Sequence, residues 1–207
     1  MLYRFVFRVF GPLIVFPLMK LFNRIEVGGL DRIPAQGPAV IIANHSSMWD
    51  PAILFCLIRR QAYFMAKSEL FINPVLGFIL RHICVFPVKR DSIDRAALRK
   101  ASEVLDSGCL LVIFPEGHRS KSGDLLPFKP GAAYFAHRAG VPVIPILLEN
   151  TMKLFPVSFR PKIRITCGNP IDLSAFEGQK NNSVLLEEMT ACFRRDMELL
   201  RGPAPDE

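Results

Sequence analysis

The fold predicted by this sequence is an α/β layered sandwich: a largely parallel or mixed central sheet flanked by helices, with an N-terminal membrane-associating helical segment ahead of it. Three observations carry that reading. Beyond Asn23, short apolar runs alternate with segments of helical period. The runs are apolar throughout, as strands are when helices cover both faces of a sheet. Of 207 residues, 50% are hydrophobic and 22% charged, which is enough to fill a core and too apolar for a disordered chain.

The N-terminal stretch from Met1 to Phe22 is almost wholly apolar, interrupted by Arg8, Pro12, Pro17 and Lys20. Its uncharged part, Val9 to Met19, is shorter than the roughly 20 residues that cross a hydrocarbon core as a helix. No small-residue cleavage site follows, which argues against a signal peptide. Three readings stay open: an interfacial or re-entrant anchor with Arg8 and Lys20 reaching headgroups, a spanning helix, and a helix packed on the core. The two prolines make a straight helix doubtful in each.

The strands then follow in order: Ala39 to Ala43, Ala62 to Ala66, Ile83 to Val88, Leu110 to Phe114, Val143 to Leu148 and Lys162 to Cys167. Between them stand helix signals. Asp50 as N-cap before Pro51 opens AILFCLI, and Asp91 or Ser92 caps a helix that stops at Gly108. Pro130 opens GAAYFAHRAG. Ser183 opens an amphipathic helix with Leu185, Met189, Cys192, Phe193 and Leu200 roughly on one face.

With 26 Lys and Arg against 19 Asp and Glu the formal charge is +7, which favours an anionic partner. A mean hydropathy of +0.26, with 17 Phe and only 3 Tyr, leans toward a membrane surface and away from nucleic acid. Cys56, Cys84, Cys109, Cys167 and Cys192 are scattered without a CxxC, and read as reduced core residues of a cytoplasmic protein.

Sites on such sheets gather in the loops after strand ends. After the first strand comes Asn44-His45-Ser46-Ser47-Met48-Trp49-Asp50. There His45 is a candidate base and Asp50 its orienting carboxylate; the plainer alternative makes Asp50 only a helix cap. After LLVIF comes PEGHRSKSG, whose Arg119, Lys121, hydroxyls and glycines suit a phosphate, the alternative being a solvated basic turn. Lys89-Arg90-Asp91 follows a third strand and reads, in isolation, as surface charge.

Taken together, these loops resemble a known family. NHSSMWD is similar to an NHx4D block, VFPVKR to a second block with its arginine, FPEGHRS to an FPEG[TS]RS block and VPVIPI to a proline block of the glycerolipid acyltransferases. Four blocks in order are highly specific, and the resemblance runs from Ile25 to near Cys167. With the apolar N-terminal stretch it gives the expected organisation: a membrane-associating segment over residues 1–24, an acyltransferase domain over 25–201 and a short polar tail over 202–207. It also implies transfer of a fatty acyl group from acyl-CoA or acyl-carrier protein to lysophosphatidic acid, on the cytoplasmic side of a membrane to which the protein is peripherally or shallowly anchored. Carried over, His45 is the general base and Asp50 its partner. Lys67, Arg90 and Arg119 bind the substrate phosphate, Glu116 and Gly117 shape their loop, and Pro145 shapes the acyl or acceptor site. Backbone N–H groups at the start of the Pro51 helix are the expected oxyanion donors. No metal or other cofactor is expected, and nucleic acid drops out as a partner.

His118 departs from the family pattern, standing where Thr or Ser is usual. Trp49 is bulkier than usual and is expected against the anchor or acyl chain. A sister enzyme acting on glycerol 3-phosphate or a lyso-aminolipid is the closest alternative, and a noncatalytic lipid-binding protein a more distant one. A serine hydrolase is disfavoured, because no GxSxG is present. A metal enzyme is disfavoured by the dispersal of His45, His82, His118 and His137.

Overall fold

The computed structural model describes residues 6–89, 94–154 and 157–201, with side chains from Gly11 onward. Its centre is a seven-stranded mixed sheet of order β1-β7-β6-β2-β5-β3-β4. The strands are β1 (Arg24–Gly28), β2 (Ala39–Ala43), β3 (Ala62–Lys67), β4 (Val85–Val88), β5 (Leu110–Ile113), β6 (Val143–Glu149) and β7 (Lys162–Cys167). All neighbours pair in parallel except β6 and β7.

Helices cover both faces, as the unbroken apolar runs require. Along β2, Ala39, Ile41 and Ala43 enter one core cluster while Val40 and Ile42 enter the other. The first core is closed by the N-terminal segment and by α2 (Asp50–Leu57), through Met19, Ile53, Leu54 and Leu57. The second is closed by α4 (Arg95–Asp106), α5 (Gly131–Ala139) and α6 (Ser183–Leu199), through Val104, Phe135 and Phe193 among others. Truncating a fully buried residue such as Ile41 to Ala would cost about 2–5 kcal/mol.

The N-terminal segment is helical, with π-type turns over Val6–Val15 that contain Pro12, continuing into α1 (Phe16–Phe22). It packs Val15, Phe16 and Met19 on the core. Leu13, Ile14, Leu18 and Leu21 stay exposed on its other side. Among the described residues no helix is long and apolar enough to cross a membrane.

Three details differ from the sequence-based expectation. The edge strand β1 is an addition, its five residues alternating too briefly to stand out as a run. Helix α3 (Pro74–His82) is another; Asn73 caps it by accepting from the backbone N–H groups of Val75 and Leu76 at 3.0 Å. The cap of α4 is Asp94, accepting from Ala96 and Ala97; Asp91 and Ser92 lie outside the described residues, as does the tail over 202–207.

Candidate active site

The five strands β2 to β6 run the same way, so their C-terminal ends share one edge of the sheet. At the centre of that edge β2 ends in Asn44, which is buried and hydrogen-bonds the backbone of Leu148 on β6 in both directions, at 2.9 and 2.7 Å. This side chain extends the ladder by one rung. His45 is therefore launched from a fixed backbone.

Both backbone groups of His45 are held by the loop after β5. Its N–H donates to Glu116 Oε1 at 3.3 Å, and its carbonyl accepts from the Ser120 N–H at 2.7 Å. The ring stacks on Phe114 at 4.3 Å between centroids, and its Nδ1 meets Asp50 Oδ2 at 2.9 Å. His45 retains 12% side-chain exposure, while Asp50 retains none.

Asp50 is not the cap that its place before Pro51 foretold. Trp49 is the N-cap, without a side-chain bond, and Asp50 opens the first helical turn. Its Oδ2 turns back to accept from the Ser46 N–H at 2.8 Å, from the Ser47 N–H at 2.7 Å and from His45. Three donors on one carboxylate oxygen fix both the loop and the imidazole. With Nδ1–H pointing at Asp50, Nε2 is left as an acceptor. The oxyanion donors expected here are largely engaged elsewhere: Ser46 and Ser47 donate to Asp50, Trp49 donates to Ser47 Oγ, and Asp50 donates to the Ser47 carbonyl. Met48 and Trp49 are exposed at the loop tip.

Glu116 is 1% exposed, and burial pushes its carboxyl up to about 7 against the opposing effect of the His45 and Leu126 N–H groups. Its Oε1 ties the loop after β5 to the His45 backbone. Gly117 has φ of +74°, where a side chain is strained, and a Cβ there would stand 3.0 Å from Lys129 Cε and 3.1 Å from its Nζ. Lys129 thus lies across this turn.

Arg119 and His118 are exposed on the same loop, and neither has a hydrogen bond or ion pair among the described residues. Lys67 ends β3 and pairs with Glu69 at 2.7 Å, both half exposed. At one strand spacing per step, the β5 loop adjoins β2 and the end of β3 stands about 10 Å from it. Arg90 lies outside the described residues. Pro145 sits inside β6, buried, with its carbonyl accepting from Gly168; its ring occupies the space a Cβ on Gly168 would need, where the antiparallel ladder with β7 stops. That puts it in the sheet, away from the loop edge.

Several supporting residues are invisible in the sequence. Asn44, Phe114, Ser120 and Lys129 act across long sequence distances, as does Thr151, buried and 3.0 Å from Ser46 Oγ. All five cysteines are free, and burial pushes Cys56 and Cys167 up to about 11, too high for a thiolate near neutrality.

Comparison with known proteins places the chain by family and fold. Residues 24–149 match the family model described as Acyltransferase. The chain is 34% identical to a chloroplastic 1-acyl-sn-glycerol-3-phosphate acyltransferase of Brassica napus, over 74% of this chain and 44% of that protein. It is 26% identical to a 1-acyl-sn-glycerol-3-phosphate acyltransferase of Bacillus subtilis, over 88% of this chain and 91% of that one. It thus spans under half the length of the plant relative and most of the bacterial one. The crystal structure of a 1-acyl-sn-glycerophosphate acyltransferase from Thermotoga maritima superposes with a TM-score of 0.71 at 27% identity, covering 95% of this chain and 79% of that chain.

Proposed function

This chain belongs to the acyltransferase family, and on that premise we propose that it acylates the free sn-2 hydroxyl of lysophosphatidic acid to give phosphatidic acid. The observation that carries the reading is the His45–Asp50 contact of 2.9 Å, built into a loop whose backbone is held from three sides.

In the proposed reaction His45 Nε2 takes the proton of the acceptor hydroxyl as its oxygen attacks the carbonyl of an acyl thioester. The tetrahedral intermediate collapses, the C–S bond breaks, and the proton passes from the imidazolium to the leaving thiolate. Asp50 holds the imidazole through Nδ1–H and stabilises its cationic form during the transfer. No acyl-enzyme is needed. Arg119 has no protein partner to displace among the described residues, so it is the first cation available to the acceptor phosphate, with Lys129 lying across the Gly117 turn of the same loop, Lys67 farther along the edge and Arg90 after β4. Acyl-CoA and acyl-carrier protein are the thioester donors proposed. The exposed leucines of the N-terminal segment support peripheral docking, and five free thiols fit the cytoplasmic face.

Purified protein should convert lysophosphatidic acid with one of these donors, and His45→Ala should abolish turnover while leaving the circular dichroism spectrum unchanged. Full turnover in His45→Ala would overturn the mechanism. Faster turnover on glycerol 3-phosphate or a lyso-aminolipid would reassign the acceptor.

A further inference from the structure

Helix α3 is amphipathic in the wrong direction for a soluble protein. Of its nine residues only Gly77 is buried, while Val75, Leu76, Phe78 and Ile79 are exposed, Val75 by 68% and Phe78 by 60%. Helical spacing puts the four exposed side chains on one arc and Gly77 opposite. Gly77 is held close: a Cβ there would meet the Phe71 carbonyl at 3.0 Å and Arg81 Nη1 at 3.3 Å. The turn before the helix (Ser68–Phe71) and the residue after it add exposed Leu70 and Ile72. Six large apolar side chains in thirteen residues of surface far exceed the scattered exposure of an ordinary monomer.

Topology and charge say what covers this face. The crossovers from β2 to β3 and from β3 to β4 step in the same direction across the sheet, so right-handed connection puts α2 and α3 on one face. The N-terminal segment packs on α2 on that same face, with its own leucines outward. Trp49 and Met48, exposed beside His45, stand at the start of α2 between them. The rim carries exposed Arg81, α3 contains no acid, and the nearby Glu69 is already paired with Lys67. An apolar arc edged by an unopposed arginine, on the same face as the outward leucines of the N-terminal segment, matches an anionic bilayer.

We propose that α3 and the turn before it form a second membrane contact, which together with the N-terminal segment lays the face carrying the mouth of the active site on an anionic lipid surface. The inference rests on the lysophosphatidic acid reading only for its purpose, that of letting an acceptor enter from the bilayer. The contact itself is testable alone.

The test is flotation of the full chain with phosphatidylcholine vesicles containing phosphatidylglycerol. Phe78→Asp combined with Ile79→Asp should weaken vesicle binding at least about tenfold. The same variant should acylate a short-chain, monomeric lysophosphatidic acid at the wild-type rate and fall well behind on vesicle-borne acceptor. In a Trp49→Phe background, Phe78→Trp introduces a single indole whose emission should shift to the blue when vesicles are added. Undiminished vesicle binding by the Asp variant, or an emission that vesicles leave unshifted in the Phe78→Trp variant, overturns the proposal. So does a wild type that is dimeric and an Asp variant that is monomeric with vesicle binding unchanged, because a second copy then covers the face. Vesicle binding that depends on Phe78 in a protein without acyltransferase activity keeps this contact and removes the enzyme reading instead.

Discussion

The loop after β2 and the loops that carry the cations share one edge of the sheet and are built in opposite ways. Around His45 most polar groups are held by partners, although Asp50 Oδ1 and Glu116 Oε2 are buried without one. Asn44 is locked to β6, the His45 backbone to Glu116 and Ser120, the imidazole to Asp50, and Ser46 to Thr151. Arg119 is exposed and unpartnered among the described residues, and Lys67 is exposed and committed only to Glu69. The difference suits the task that the proposed mechanism gives each region. A general base must stand within a few tenths of an ångström of a reacting hydroxyl before substrate arrives, whereas a phosphate brings its own charge and can collect flexible cations as it binds.

The largest break in that comparison is expected inside the rigid region. His45→Ala should lower kcat by about 10²–10⁴ with little change in acceptor KM. Asp50→Asn should fall in the same range, because it keeps the shape but loses the charge that stabilises the imidazolium, and its amide NH2 can hold the wrong tautomer; a drop under about tenfold would mean that the imidazole needs no charged orienting partner.

The exposed cations should respond in the other parameter. Arg119→Ala is expected to raise acceptor KM about 10- to 100-fold, the size of a charge-assisted bond, with kcat much less affected. Lys129→Ala should raise it a few-fold, and a larger effect than that of Arg119→Ala would move the phosphate site toward the Gly117 turn.

A last effect, on stability and not on kinetics, concerns the brace between the regions. Burial raises the Glu116 carboxyl from 4.5 to about 7, so between those values the folded chain holds a proton that the unfolded chain has lost. This group's contribution to stability is therefore fully present below about pH 4.5 and is lost as pH rises through 7. Glu116→Gln should flatten that dependence, by on the order of 1–3 kcal/mol across the window, measured as urea midpoints at several pH values. An unchanged pH slope would show that the carboxyl is not the titrating group.

Much of this is legible in one dimension. Strands buried on both faces have a plain signature, so β2, β5 and β6 show in the sequence at nearly their true limits, and β3, β4 and β7, which are buried on alternate residues or in part, show as short apolar runs within about two residues of theirs. His45 and Asp50 stand out because the contact between them spans only five residues. What stays hidden has physical causes. The ties of Asn44 to Leu148 and of Glu116 to His45 cross 104 and 71 residues, and no local pattern encodes such a bond. Helix α3 escapes notice because an apolar stripe facing outward reads in sequence like a buried run. Asp before Pro usually marks a cap; at Asp50 the carboxylate instead turns back into the loop ahead of the helix.

The proposed mechanism separates binding from proton transfer along this edge, giving transfer to the His45–Asp50 pair. Steady-state kinetics of wild type, His45→Ala and Arg119→Ala over a range of lysophosphatidic acid concentrations test that separation most directly. The expected result is a loss in kcat alone for the first variant and a rise in acceptor KM for the second. A His45→Ala enzyme with wild-type kcat, or an Arg119→Ala enzyme that loses kcat at unchanged KM, would contradict it.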